Sequence, residues 1–236
     1  MNLSLLGWGD AGWGDEMAIG ALMTLAVATS SFALGLVFAT GLAAMKLSRS
    51  RLLRAIADVY TTVVRGIPEL LIIYLVFFGG GIVLRAVAAG MFGYEDYVDL
   101  PIFLTGMLCI GVSSSAYSTE VIRGAVLAVP KGQIEAGRAI GMGPVLRFRR
   151  ILVPQVLRYA LPGLGNVWQL TLKDTSLISV IGLFEIMRYA FQGAGSTREP
   201  FTFYFAALLL YLILTSLSNR GILRAERWAN KGVRRA

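Results

Sequence analysis

Two groups of charged residues lie where charge is costly. Arg65-Gly66-Ile67-Pro68-Glu69 interrupts an otherwise apolar stretch, and a carboxylate there can meet a guanidinium or ammonium group through charge-assisted hydrogen bonds. Arg65, four residues earlier, can neutralise Glu69 or receive a carboxylate. Equally, the two can pair with each other and so make the break tolerable. Lys173-Asp174 and Gln169 fall in a second apolar stretch, and Asp58 stands ahead of the first with Arg54 at pairing distance. Covalent chemistry has little to work with. The sequence contains no histidine and a single cysteine, Cys109, which removes histidine triads, histidine metal sites, histidine proton relays and any internal disulfide. The remaining Ser and Asp residues form no nucleophile–base pair, and no Gly-rich loop precedes a Lys-Ser/Thr. No catalytic site, metal or cofactor of its own is expected.

The elements that position these residues are membrane helices. Of 236 residues 56% are hydrophobic and 15% charged, against about 25% charged in an ordinary soluble domain. Charge-free runs fill the intervals Glu16–Lys46, Asp99–Glu120 and Glu199–Arg220, each long enough for a span of roughly 20 residues. Two more spans, Ala55 to Phe92 and Tyr159 to Phe184, carry the charges named above, which cost about 2.5–3.5 kcal/mol each unless they face protein, water or an interface. The reading is an all-α integral membrane protein of about five transmembrane helices in one domain, residues 1–236.

Charge gives the orientation. The net charge of +8 would point to nucleic acid in a soluble protein, but here it sits in connections. No Lys or Arg precedes Lys46, and the loop of Glu95, Asp96 and Asp99 is acidic. The segments Lys46–Arg54, Arg123–Arg158 and Arg220–Arg235 are basic. This alternation places the N-terminus outside and the C-terminus in the cytoplasm. Pro68 should kink the second span, Gly79-Gly80-Gly81 should end or loosen its outer half, and Ser113-Ser114-Ser115-Ala116 suits close helix packing. The fourth span is expected to follow Pro162.

The sizeable cytoplasmic loop, about 123–158, reads as a helix–turn–helix. Pro130 and Gly141 punctuate a first helix, in which Glu135 and Arg138 can pair. A second begins after Gly143-Pro144. A short, rigid, laterally exposed element of this kind suits docking into a groove on another protein. Its spacing resembles the coupling-loop signature of ABC importer permeases: Glu-Ala-Ala, three residues, Gly, nine residues, Ile-x-Leu-Pro. Glu135, Ala136, Gly141, Ile151 and Pro154 match, with Gly137 and Val153 as small replacements. The resemblance extends to Arg65-Gly66-x-Pro68, Arg158-Tyr159-Ala160-Leu161-Pro162 and Leu172-Lys173-Asp174-Thr175-Ser176-Leu177. These look like the histidine/glutamate/glutamine/arginine/opine permeases, and Glu69 with Gly195–Phe201 resembles the subunits for histidine, basic amino acids and octopine or nopaline.

The resemblance implies a type I importer permease in the bacterial inner membrane. It implies two cytoplasmic ATPase subunits that bind ATP and Mg, a second identical or sister permease, and a periplasmic solute-binding protein. Glu135, Ala136, Gly141, Ile151 and Pro154 would couple to the ATPase, and Glu69, Arg65, Asp58, Lys173, Asp174 and Gln169 would serve the substrate pathway. The nearest alternative, a secondary carrier without an ATPase, usually shows inverted repeats and more spans. An intramembrane enzyme lacks its chemical groups.

Overall fold

A computed structural model describes residues 2–9, 12–92 and 101–231. The expected acidic loop of Glu95, Asp96 and Asp99 lies outside the described residues, as do Asp10, Arg234 and Arg235. All regular structure among the described residues is helical. The order is α1 (Gly14–Leu47), α2 (Arg51–Gly66), α3 (Glu69–Phe92), α4 (Ile102–Ala128), α5 (Lys131–Ala139), α6 (Pro144–Arg147), α7 (Val153–Asp174), α8 (Ile186–Thr197) and α9 (Pro200–Ala229). Short 3-10 turns at Leu3–Leu6 and Thr175–Ile181, and a π turn at Phe148–Leu152, complete the chain.

Helix α1 begins with Asp15 and Glu16 and ends with Lys46, which matches the helix dipole at both ends. It packs along α4 through small residues. A Cβ on Gly35 would stand 3.0 Å from Ser114 Oγ and 3.1 Å from the Gly111 carbonyl, so the two backbones nearly touch. Ser113 to Ala116 are all buried, as their small size anticipates. Thr171 Oγ1 on α7 donates to Ser114 Oγ at 3.3 Å, and Tyr60 Oη on α2 lies 2.6 Å from Ser115 Oγ. The serine run therefore joins α1, α2, α4 and α7.

Among the described residues three helices, α1, α4 and α9, are long and apolar enough to cross a membrane. A pair bent by 102°, Arg51–Gly66 with Glu69–Val83, makes a fourth when the two helices are counted as one span. Proline at position 68 and extended Ile67 produce the bend. The fifth expected span corresponds to α7, which is 22 residues long yet too polar to qualify on composition.

Several expected boundaries move. The fourth span does not begin after Pro162: α7 starts at Val153 and holds Pro162 in its interior. Nor does it run straight to Phe184, because a tighter 3-10 turn takes over at Thr175 and Gly182 ends it with a left-handed φ of 97°. The glycine triplet does not end α3, which continues to Phe92. Helices α4 and α9 extend past Glu120 and Arg220, where the expected charge-free runs end, so part of the expected loop 123–158 is helix. The segment around Gly193 is helix α8, docked on α9 where Phe203 fills the space a Gly193 side chain would need.

Candidate functional site

The α2–α3 break gathers the first cluster. Glu69 opens α3, and its Oε1 accepts long hydrogen bonds from Ser113 Oγ at 3.4 Å and Tyr117 Oη at 3.5 Å. The Arg65 guanidinium lies 5.4 Å from the centre of the same Tyr117 ring. Arg65 and Glu69 form no ion pair among the described residues, because the intervening bend destroys the helical i,i+4 register. The two are thus joined through Tyr117 rather than to each other. Asp174, at the end of α7, comes close enough for its charge to act on Glu69 and Tyr117. Lys173 beside it is exposed.

The other expected pathway residues lie elsewhere. Gln169 Nε2 donates to the Thr215 carbonyl at 3.5 Å, which turns that amide to α9. Asp58 bonds to Lys46 Nζ at 2.9 Å and forms no ion pair with Arg54 among the described residues. Lys46 also pairs with Glu120, and the expected Glu120–Arg123 pair is present at 2.9 Å. Four charges therefore tie the ends of α1 and α4 to α2. The Lys46 side chain is only 7% exposed, so its ammonium depends on these carboxylates for solvation.

The second cluster is the loop element. Helix α5 ends at Ala139 with Ile140 as its cap, and Gly141 turns the chain with a φ of 78°, where a side chain would be strained even in open space. Its N–H donates to the Arg138 carbonyl at 3.0 Å, and Met142 N–H to Gly137 at 3.0 Å, which satisfies the last carbonyls of the helix. Glu135, Ala136 and Pro154 are exposed and Ile151 is half-buried. Glu135 and Arg138 form no ion pair among the described residues. Gly137 is more than a small replacement: a Cβ there would fall 2.5 Å from Ile151 Cδ1, so its lack of a side chain seats α5 on the π turn. On the outside, Ile140 and Val145 are 78% and 77% exposed and Phe148 is 58% exposed. Exposed apolar side chains on an otherwise polar loop can be covered by a partner.

Sequence reasoning missed Glu185. It is fully buried and caps α8, its Oε1 accepting from Arg188 N–H at 2.9 Å. Oε2 accepts from Tyr211 Oη of α9 at 3.0 Å. The available signal was an acidic residue just after a helix-ending glycine, in position to cap the next helix.

Residues 31–227 match the family described as binding-protein-dependent transport system inner membrane component. The sequence is 67% identical over 234 residues to the nopaline transport system permease protein NocQ of Agrobacterium fabrum, covering 99% of each chain. It is 53% identical over 233 residues to the octopine transport system permease protein OccQ of Rhizobium meliloti, covering 99% of this chain and 98% of that one. Its fold resembles an amino acid ABC transporter solved with histidines, with a TM-score of 0.77 and 29% identity over 91% of this chain and 94% of the other.

Proposed function

The chain belongs to the family of binding-protein-dependent transport system inner membrane components, the permease subunits of ABC importers for amino acids and opines, and on that premise we propose that it forms half of a pore for a basic amino acid or an arginine-derived opine. Membership in this family sets aside the secondary-carrier alternative. The observation that carries the substrate class is the α2–α3 break, where a carboxylate, Glu69, and a guanidinium, Arg65, share the Tyr117 ring. A solute that is both an amino acid and a cation needs both signs at one place. Nopaline and octopine, named for the two relatives, each combine a guanidinium with carboxylates. In this reading Glu69, with Asp174 near it, takes the cationic group and Arg65 a carboxylate. Lys173 and Gln169 hold or gate the neighbouring helices, and Asp58 contributes through Lys46.

The exposed α5–π element supports a coupling role. It docks in a cleft of a cytoplasmic ATPase, with Glu135 bonding to the partner, Ala136 and Gly141 allowing close approach, and Ile151 and Pro154 bracing the turn. The full assembly has two ATPase subunits that hold ATP and Mg, a second identical or sister permease, and a periplasmic solute-binding protein. This chain is non-catalytic, with its N-terminus outside and its C-terminus in the cytoplasm of a bacterial inner membrane.

Uptake by the assembled complex in proteoliposomes tests both parts. Glu69→Gln is expected to weaken uptake of a cationic substrate about tenfold, the value of one charged hydrogen bond, without loss of assembly. Unchanged affinity removes Glu69 from the site. Gly141→Asp is expected to abolish ATP-driven uptake, and intact uptake would refute the coupling assignment.

A further inference from the structure

The last turns of α9 leave the membrane as a rigid helix. The charge-free run between Glu199 and Arg220 already covers the roughly 20 residues that cross the hydrocarbon core, yet α9 continues unbroken to Ala229. At about 1.5 Å per residue, Arg227 stands about 10 Å beyond Arg220, and a tilt of about 20° shortens that by less than about 1 Å. The headgroup layer is only about 5–8 Å deep. Arg220 and Arg224 therefore lie within it, and Arg227 passes it. Lys231 follows in the turn that closes the helix, its N–H donating to the Trp228 carbonyl at 3.2 Å.

Charge on this extension is sorted by face. At about 100° per residue, Arg220, Arg224 and Arg227 fall within an arc of about 60°. All three and Lys231 are exposed, and none has an ion-pair partner among the described residues. Arg227 Nε donates to the Leu223 carbonyl at 3.2 Å, which anchors that guanidinium to its own helix. Glu226, the one carboxylate within α9, sits at least about 100° round from each arginine.

The stripe stands beside the loop element. Gln169 bonds to the Thr215 carbonyl, and a Cβ on Gly165 would lie 2.7 Å from Ile222 Cγ2, so α7 and α9 run antiparallel. The end of α9 is thus level with the start of α7 at Val153, which continues directly from the π turn. A protein seated on the loop element comes within reach of the stripe. Lipid phosphates in the headgroup layer meet Arg220 and Arg224, whereas Arg227 and Lys231 stand in water and take their counter-charge from a protein surface.

We propose that the basic stripe of α9 is a second contact with the cytoplasmic ATPase subunit, its cations pairing with carboxylates on that subunit. The proposal rests on the coupling role assigned above to the loop element and adds a separate, electrostatic part to the interface.

The permease complex, co-expressed with its ATPase subunit, is placed in nanodiscs of phosphatidylglycerol or of phosphatidylcholine, and the NaCl concentration that releases half of the ATPase subunit is measured. In Arg227→Gln/Lys231→Gln this concentration is expected to fall about twofold or more in both lipids, since screening completes what the substitutions begin. Arg227→Lys keeps the charge and is expected to stay near the parent value. Both positions are exposed, so the thermal stability of the permease itself should not change. An unchanged release point in the double glutamine variant overturns the proposal. A shift in phosphatidylglycerol alone also overturns it and assigns the stripe to lipid headgroups. A loss in Arg227→Lys equal to that of the glutamine variant would show that charge is not what acts, with the same consequence. Gly141→Asp, read by uptake, tests the coupling role of the loop element separately, so either assignment can fail without the other.

Discussion

Lys46, in the last turn of α1, holds its ammonium 2.9 Å from the Asp58 carboxylate of α2 and in the same network as Glu120 of α4. The network ties α1 and the short helix before the bend to the helix that leads into the loop element. Asp58 is 63% exposed whereas Lys46 is 7% exposed, so the two partners have unequal stakes.

Lys46→Met should therefore lower stability by about 2 kcal/mol, because it leaves the half-buried Glu120 without one of its two cations. Asp58→Asn should change stability by less than about 1 kcal/mol, as exposed pairs do. Thermal unfolding in detergent separates the two, and equal losses would refute the asymmetry.

Tyr117 makes two different interactions that substitution can separate. Tyr117→Phe removes only a 3.5 Å hydrogen bond to Glu69 and keeps the ring beneath Arg65. Tyr117→Leu removes both, and the lost cation–π contact adds about 0.5–2 kcal/mol. Substrate affinity in the assembled transporter should fall several-fold further in Tyr117→Leu than in Tyr117→Phe. The same affinity in both would show that the ring does not position Arg65.

Gly137 and Ile151 should behave as a coupled pair. Gly137→Ala places a Cβ 2.5 Å from Ile151 Cδ1, and overpacking of this kind costs about 1 kcal/mol or more. Ile151→Val deletes that methyl, so the double variant should recover most of the loss. A double-mutant cycle on thermal stability measures the coupling, and strict additivity would show that α5 does not seat on the π turn as described.

Glu185 should tolerate Gln and not Leu. The amide keeps an acceptor for the Arg188 N–H and a polar partner for Tyr211, whereas Leu takes the carboxylate acceptor from both donors, at about 1–3 kcal/mol for a donor left without a partner. Expression and monodispersity on size exclusion should be near normal for Glu185→Gln and poor for Glu185→Leu. Normal behaviour of Glu185→Leu would show that α8 is held by apolar packing alone.

Much of the protein was legible in sequence because its strongest constraints are local or additive. Bilayer thickness converts the charge-free runs before Lys46, before Glu120 and before Arg220 into helices without reference to any neighbour. The loop element was readable for a similar reason: Pro130 can start a helix and Gly141 can leave one by backbone geometry alone. The serine run announced a close helix contact because only small side chains allow one.

What the tertiary structure decided concerns partners. At i,i+4 spacing Arg65 and Glu69 look like a pair, yet a 102° bend between their helices directs both to Tyr117, a residue of α4. Asp58 takes Lys46 rather than Arg54, and Glu185 finds Tyr211 of α9, because helices distant in the chain are brought together by packing. Pro162 sits within a helix because tertiary packing overrides local propensity. The sequence by itself determined the three charge-free spans, the all-α membrane class and the loop element, each a consequence of backbone geometry and bilayer solvation acting over short stretches. Only the tertiary structure decided which charge answers which, since a buried ion takes its partner from whatever the fold places beside it.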